Sequence, residues 1–349
     1  MIAPADAGIG LFFTAYRGYL KVVTESPLSP LLSRPSPVRR TGFELALTVS
    51  EVVVAAEDVV ALTLTDPTGT LLPAWSPGAH LDVFLPSGTQ RQYSLCGNPA
   101  DRSNYRVAVR LIADGGGGSR EIHEQVRVGD TLRVRGPRNA FLMVDEPSYL
   151  FVAGGIGITP LIPMVRRAEQ EGAKWHLVYL GRSRDSLPFL DELAAYGHRV
   201  IVRTDDEHGR PDMREILELT DAGAAVIMCG PVPLVDAAKA LLPELNPTAR
   251  LYSERFSAPP VRGGQPFSVQ LARSGKELEV AADESLLSVL RREVPGVAYS
   301  CQQGFCGTCK VGVLKGEVEH RDQLLLDNER DCSMLPCLSR GSGTLLLDL

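Results

Sequence analysis

From Phe43 to about Met143 the chain runs in short stretches, "LALTVSEVVVA", "VVALTLTDP", "HLDVFLP", "YRVAVRLI" and "DTLRVRGP", rich in Val, Leu and Thr and bounded by Gly, Pro or Asp. Runs of this composition and length, punctuated by turn formers, predict strands, and their spacing predicts a β-barrel. The pattern changes from Ser148 to about Phe256. There the apolar runs "SYLFVAGG", "WHLVYLG", "HRVIVRT" and "AAVIMCGP" alternate with helical segments such as "PLIPMVRRAEQEG" and "SLPFLDELAAYG". That alternation predicts a parallel α/β sheet. Beyond the linker "SAPPVRGGQP", the stretch "FSVQLARSGKELEVAADESLLSVLRREV" predicts two strands joined at Ser274-Gly275 and a helix from Glu284 to Glu293. The expected domains are therefore residues 41–146, 147–257 and 266–349, with a linker at 258–265. Residues 1–40 carry Pro and Ser too densely for regular structure and are expected to be an extension and linker. The alternative there is a docking helix built on Leu11, Phe12, Phe13 and Tyr16.

Composition narrows the class of protein. A chain of 349 residues exceeds what one hydrophobic core usually serves. A formal net charge of −6 gives no general reason to expect nucleic-acid binding. No apolar run approaches the roughly 18 to 20 residues that cross a bilayer, and "IGLFFTAY" lacks the basic flank of a secretory signal, so a cytoplasmic protein without a membrane span is expected. Seven cysteines is an odd number, and in a reducing cytosol clustered thiols point to metal ligation or redox chemistry rather than disulfides.

Three of those cysteines, Cys301, Cys306 and Cys309, fall within "YSCQQGFCGTCKVGVL" in the pattern CxxxxCxxC. This is the plant-type spacing for a [2Fe–2S] cluster, which needs a distant fourth cysteine. Gly304 and Gly307 suit a loop wrapped tightly around such a cluster. Zinc is the weaker reading, because the other nearby thiols, Cys332 and Cys337, do not form a second CxxC knuckle and no close histidine pair accompanies them. Spacing alone leaves either Cys332 or Cys337 as the fourth ligand. In the barrel, "RQYSL" offers the guanidinium of Arg91, the ring of Tyr93 and the hydroxyl of Ser94, groups that suit a flavin's phosphate, ring face and ring edge. "DGGGGSREIH" adds a glycine turn that enters a helix, where backbone amides can cradle a phosphate. "LFVAGGIGITPLIPMV" and "VIMCGPVPLVDAA" each run strand, glycine turn, helix, the arrangement that presents a helix N-terminus to a dinucleotide, although neither is GxGxxG.

Taken in order, "RQYS", "GGIGITP", "MCGP", "ERF" and CxxxxCxxC with a C-terminal "CLSR" resemble the phthalate dioxygenase reductase family over roughly Phe43 to Leu349. The resemblance implies an antiparallel flavin-binding β-barrel, a parallel α/β nucleotide-binding domain and a β-grasp plant-type ferredoxin domain. It implies FMN, rather than FAD, held by Arg91, Gln92, Tyr93, Ser94, Gly118 and Ser119. Family members often carry arginine where this chain has Gly116, so Arg91 or Arg120 is the expected charge partner of the phosphate. NADH, with NADPH the alternative, is expected at Gly155, Gly157, Thr159, Pro160 and Arg182, with Cys229, Gly230 and Pro231 beside the nicotinamide. Glu254 and Phe256 fall beside the flavin. Ser94, Cys229, Glu254 and Phe256 are thus the expected catalytic set. The "CLSR" context implies Cys337 as fourth ligand to iron, with Cys332 a spare thiol. The implied activity is an electron relay from NADH through FMN and the [2Fe–2S] cluster to a terminal oxygenase component, Rieske-type first and cytochrome P450 second. A redox sensor without steady turnover is the competing expectation.

Overall fold

In the computed structural model, residues 43–113, 117–294 and 296–349 are described. The docking-helix alternative at Leu11 to Tyr16 and the Gly116 position lie outside the described residues. The first sheet holds β1 (Phe43–Ala56), β2 (Val59–Thr65), β3 (Ala79–Phe84), β4 (Gln90–Ser94), β5 (Asn104–Arg110) and β6 (Thr131–Asn139) in the order β4-β3-β6-β1-β2-β5. Every pairing in it is antiparallel. A bridge between Leu95 and Val107 joins the end of β4 to β5 and closes one edge of the sheet onto the other. Period-two alternation turns Leu47, Val49, Leu62, Leu64, Leu81, Val83, Val107 and Val109 into one interior. Helix α1 (Gly118–Gln125) plugs it with Ile122.

The second sheet is parallel throughout, in the order β11-β10-β7-β8-β9, from β7 (Ser148–Gly154), β8 (Lys174–Gly181), β9 (Val200–Thr204), β10 (Ala225–Cys229) and β11 (Arg250–Glu254). Its central strands β7 and β10 are almost continuously apolar and buried because helices cover both faces. One face packs on α2 (Ile158–Gln170) and the other on α4 (Val232–Leu245). The segment "SLPFLDELAAYG" contains less helix than its periodicity predicts. Only α3 (Leu190–Ala194) is helical there, because Phe189 before it and Gly197 after it adopt positive φ, +68° and +59°, which ends helical winding on both sides.

The third sheet is mixed, in the order β13-β12-β16-β14-β15, from β12 (Phe267–Leu271), β13 (Glu277–Val280), β14 (Val311–Glu319), β15 (Ser333–Met334) and β16 (Arg340–Leu347). Parallel pairing of β12 with β16, with α5 (Leu286–Glu293) packed through Leu286, Val289 and Leu290, gives the β-grasp arrangement. The helix begins two residues later than its apolar pattern suggests, because the Ser285 hydroxyl accepts the Ser288 N–H at 3.2 Å and caps it. The described residues form one compact unit.

Candidate redox site at the meeting of the three sheets

The loop after α5 carries Cys301, Cys306 and Cys309, and the turn between β15 and β16 brings Cys337 to them. Cys301, Cys309 and Cys337 are buried and Cys306 is partly so, whereas Cys332 is exposed and its Sγ lies 3.8 Å from the Glu329 carbonyl oxygen. The four approach one another two by two, Cys301 with Cys306 and Cys309 with Cys337, and Cys306 also senses Cys337. Among the described residues no three His, Cys, Asp or Glu side chains converge on a single point as one ion's cage requires. Two pairs side by side instead match the donor set of a two-iron centre, and all-sulfur donors suit iron–sulfur chemistry. Gly304 and Gly307 take φ of +80° and +68°, so the loop passes twice through the left-handed region that a Cβ disfavours. The Gln303 N–H points at Cys301 Sγ at 3.3 Å and the Thr308 N–H at Cys306 Sγ at 3.5 Å. Its neighbour Cys301, then the Thr308 hydroxyl and amide, pull the Cys306 thiol down to about 5 against the opposing effect of burial.

This loop sits on a polar face of the barrel. Register places His80 opposite Ser94 and Arg138, Asp82 opposite Gln92 and Arg135, and Phe84 opposite Gln90 and Arg133. Alternation in the sequence suggests that such a face meets water. Here it meets the cysteine loop: Gln90 Nε2 donates to the Tyr299 carbonyl at 2.9 Å, and Gln92 Nε2 to Ser300 Oγ at 2.6 Å and Asp82 Oδ1 at 3.0 Å. Asp82 is fully buried and carries ion pairs to Arg135 (3.1 Å) and to Arg138. Arg138 Nη1 donates to Thr308 Oγ1 at 2.8 Å.

Of the flavin set, Arg91 and Tyr93 point to the opposite side of β4 from Gln92 and Ser94. Arg91 lies against the start of α1, where a Cβ on Gly118 would come within 2.6 Å of Arg91 Nε. The helix starts from Gly117 in the left-handed region, and no side chain caps its first amides. A guanidinium beside uncapped helix amides fits a phosphate. Ser119 Oγ accepts the Ile112 N–H at 3.1 Å, Arg120 donates to the Ala113 carbonyl at 2.6 Å, and Arg91 Nη1 donates to the Gln90 carbonyl at 2.9 Å. Burial pushes the Tyr93 phenol up, partly offset by Arg91.

In the α/β domain the two glycine turns touch backbone to backbone. A Cβ on Gly157 would collide with the Cys229 carbonyl, and one on Gly154 would come within 2.6 Å of Pro231. A Cβ on Gly230 would come within 3.1 Å of the Gly154 nitrogen, a tight but looser approach. Thr159 is buried and its hydroxyl donates to the Ile156 carbonyl at 3.0 Å, beside the likewise buried Pro160. Gly155 takes φ +54° with open space where a Cβ would stand. Cys229 pairs in register with Ala153 and Glu254 at the carboxyl ends of three neighbouring strands, the edge where open α/β sheets bind ligands. Burial pushes its thiol well up, keeping it neutral. Arg182 is exposed at the end of β8, and its carbonyl accepts the Asp206 N–H.

All three domains line one narrow cleft of about 40 Å³. Its walls are His80, Gln92 and Ser94 from the barrel, Glu254, Arg255 and Phe256 from the α/β domain, and Cys301, Gln303 and Phe305 from the cysteine loop. Two of its polar atoms, His80 Nε2 and Glu254 Oε2, are sealed from solvent without a hydrogen-bond partner. Burial raises Glu254 to about 8, and burial, then the Arg138 charge, lowers His80 to about 4. The structure thus brings Ser94, Glu254, Phe256 and Cys301 together and leaves Arg182 outside this cleft. His80, Asp82, Arg135, Arg138, Ser300 and Thr308 escape sequence reasoning, because only docking of two domains buries them.

Three models of known families cover the same three regions. "Oxidoreductase FAD-binding domain" matches residues 45–142, "Oxidoreductase NAD-binding domain" matches 151–240, and "2Fe-2S iron-sulfur cluster binding domain" matches 269–340. The phthalate dioxygenase reductase of Burkholderia cepacia is 37% identical over 317 residues, covering 88% of this chain and 98% of that protein. A solved phthalate dioxygenase reductase, described as a modular structure for electron transfer from pyridine nucleotides to [2Fe-2S], superposes with a TM-score of 0.67 at 36% identity, over 88% of this chain and 98% of its own. An intact type IV self-sufficient cytochrome P450 monooxygenase carries a like region, with TM-score 0.71 and 40% identity over 93% of this chain and 44% of the larger one. Three sheets in this order, the three-cysteine loop docked on the first of them, and similarity along almost the whole length of a relative make the chain a member of the phthalate dioxygenase reductase family.

Proposed function

We propose that this flavin and iron–sulfur oxidoreductase takes hydride from NADH onto FMN and passes electrons singly through a [2Fe–2S] centre to a separate terminal oxygenase. A Rieske-type oxygenase is the first choice and a cytochrome P450 the second. The observation that carries this reading is the shared cleft, in which Ser94, Glu254 and Cys301 from three domains line one space. When bound, the flavin supplies the exchange between two-electron and one-electron chemistry that neither a nicotinamide nor a single cluster has alone.

The chain's own residues supply position. Arg91 with the first amides of α1 would hold the flavin phosphate, with Gly118 leaving room beside the guanidinium and Ser119 adjoining. Tyr93 and Ser94 would flank the ring. Gly155, Gly157, Thr159 and Pro160 at the start of α2, and Cys229, Gly230 and Pro231 at the start of α4, would hold the nucleotide, with Arg182 at its distal end. Neutral Cys229 adds no charge beside a hydride donor. Glu254 stays protonated below about pH 8 and can share that proton within the cleft, while Phe256, half-exposed at its rim, shields it from water. Cys301, Cys306, Cys309 and Cys337 would bind iron, leaving Cys332 aside. A cytoplasmic setting goes with this reading, since clustered thiols that bind iron must be kept reduced.

Anaerobic NADH titration of the reconstituted protein tests the reading. Flavin and iron–sulfur absorption should both bleach, and chromatography of the released flavin should give FMN. Catalytic reduction of cytochrome c should follow, then of Rieske-type and P450 oxygenases offered in parallel. Bleaching without sustained turnover would leave a sensor in place of a reductase.

A further inference from the structure

Beside the cysteine loop stands a cation that belongs to another domain. Arg138, at the end of β6 of the barrel, donates from Nη1 to Thr308 Oγ1 at 2.8 Å, and the Thr308 N–H lies 3.5 Å from Cys306 Sγ. Its other nitrogen is clamped by Asp82, which also pairs with Arg135 and accepts from Ser300 Oγ at 3.2 Å, next to Cys301. The Arg138 side chain is 10% exposed and that of Asp82 is 0% exposed, so solvent screens neither as it screens a surface ion. As adhesive between domains this node is a poor choice, since desolvating paired charges offsets most of their attraction and apolar contacts would hold as well.

We propose that Arg138 is a positioning residue for electron transfer, a barrel-borne cation, tempered by Asp82, that favours the reduced state of the iron–sulfur centre. The inference rests on the reading of Cys301, Cys306, Cys309 and Cys337 as iron ligands. In the step concerned no bond forms or breaks: the reduced flavin loses one electron, and the four-thiolate centre gains one electron and one unit of negative charge. A fixed cation one hydrogen-bonded residue from a ligand sulfur, and in electrostatic contact with Cys306 and Cys301, lowers the energy of that added charge, and Asp82 opposes it. Because Arg138 comes from the flavin domain, the advantage exists only while that domain and the cysteine loop are docked. The acceptance of electrons by the loop is thereby tied to contact with their source.

Redox titration of the full-length reconstituted protein tests this, with electron paramagnetic resonance reading the reduced cluster and absorbance reading the flavin. Arg138→Gln should lower the ratio of reduced to oxidised cluster at fixed potential about tenfold, a downward shift of about 59 mV for a one-electron couple. Arg138→Lys should restore most of it. Asp82→Asn should move the ratio the opposite way, upward, with the flavin couple moving less than the cluster couple in all three. Loosened packing has no reason to shift the two charge variants in opposite directions. An unchanged cluster ratio in Arg138→Gln overturns the proposal. Should that variant not assemble its cluster, an unchanged or lowered ratio in Asp82→Asn does so. A wild-type protein giving no reduced-cluster signal at all would instead overturn the underlying assignment of the thiols.

Discussion

At the scale of single residues, Cys337 and Glu254 make the sharpest claims. Cys337→Ser should abolish the iron–sulfur absorption and the acid-labile sulfide, whereas Cys332→Ser should leave both near wild-type levels, since its thiol is exposed and lies beside Glu329 and Ser333. For Glu254 the sign of the pH effect is fixed by its raised proton affinity, from about 4.5 to about 8. Between those values the folded chain keeps a proton that the unfolded chain has released, so stability falls as pH rises, by at most about 1.4 kcal/mol per unit. His80, lowered from 6.5 to about 4, acts in the opposite sense: stability is lost as pH falls from 6.5 through 4. The Glu254 and His80 slopes offset each other between about 4.5 and 6.5. In the apoprotein the Cys306 thiol, lowered from 9.0 to about 5, adds a rise from about 5 upward that opposes Glu254 up to about 8. The Glu254 contribution is therefore read as the difference between wild type and Glu254→Gln. Denaturant melts of the apoprotein across this range check it. Glu254→Gln should turn the slope between about 6.5 and 8 towards rising stability, by at most about 1.4 kcal/mol per unit relative to wild type, and a variant that keeps the wild-type slope there would refute the assignment. The cysteines were legible because their spacing is set by what one loop can wrap around. His80 and Asp82 were not. In "HLDVFLP" they occupy the polar phase of an alternating strand, and only the docked third domain converts that face from surface to interior.

At the scale of elements, the close packing of two turns decides how α2 and α4 present their N-termini. Gly157 has φ −63°, which any residue adopts, so Gly157→Ala carries no backbone penalty of its own. Its methyl would meet the Cys229 carbonyl instead, and the two turns would have to separate. The variant should lose about 1–3 kcal/mol in denaturant melts, the range of overpacking, and raise KM for NADH at least several-fold while retaining flavin and cluster. Gly155→Ala should differ in kind. At φ +54° with open space around it, the cost is a left-handed alanine of about 1 kcal/mol and the turns stay in contact. An equal rise in KM for both variants would sink the distinction. The strand-turn-helix order was readable in the sequence, but the contact between turns far apart in the chain was not, because neither matches a standard fingerprint and each glycine answers to the other turn. Likewise the arginine of "CLSR" belongs to a recognisable motif, yet Arg340 is buried and donates to the Glu284, Gln265 and Ala281 carbonyls, tying the linker to α5 and β16.

At the scale of the whole molecule, electron flow requires that the α/β domain present its nucleotide edge to the barrel in one fixed orientation. Glu192 on α3 is the common partner in that contact. It takes both terminal nitrogens of Arg106 on β5, at 2.5 and 3.0 Å, and Nη2 of Arg166 on α2 at 2.5 Å, while Arg166 also donates to the Gly97 carbonyl at 2.8 Å. Arg106 lies over the Phe189 ring at 4.6 Å, and the Glu57 N–H reaches the Asp185 carbonyl at 2.7 Å. One-third exposure of Glu192 limits what these pairs add to stability, so Glu192→Gln should lower it by no more than about 1 kcal/mol. Geometry is more sensitive than stability, because a displacement of about 1 Å between reacting groups can cost about a hundredfold in rate. In stopped flow, flavin reduction by NADH should therefore slow about tenfold or more in this variant. Oxidation of the pre-reduced protein by an external acceptor should keep its wild-type rate, because the Asp82–Arg138 contact that seats the cysteine loop lies elsewhere on the barrel. Equal slowing of both half-reactions would mean that Glu192 supports the whole fold rather than one docking orientation. An unchanged rate of flavin reduction would mean that the orientation is set by the apolar contacts around Phe189 alone.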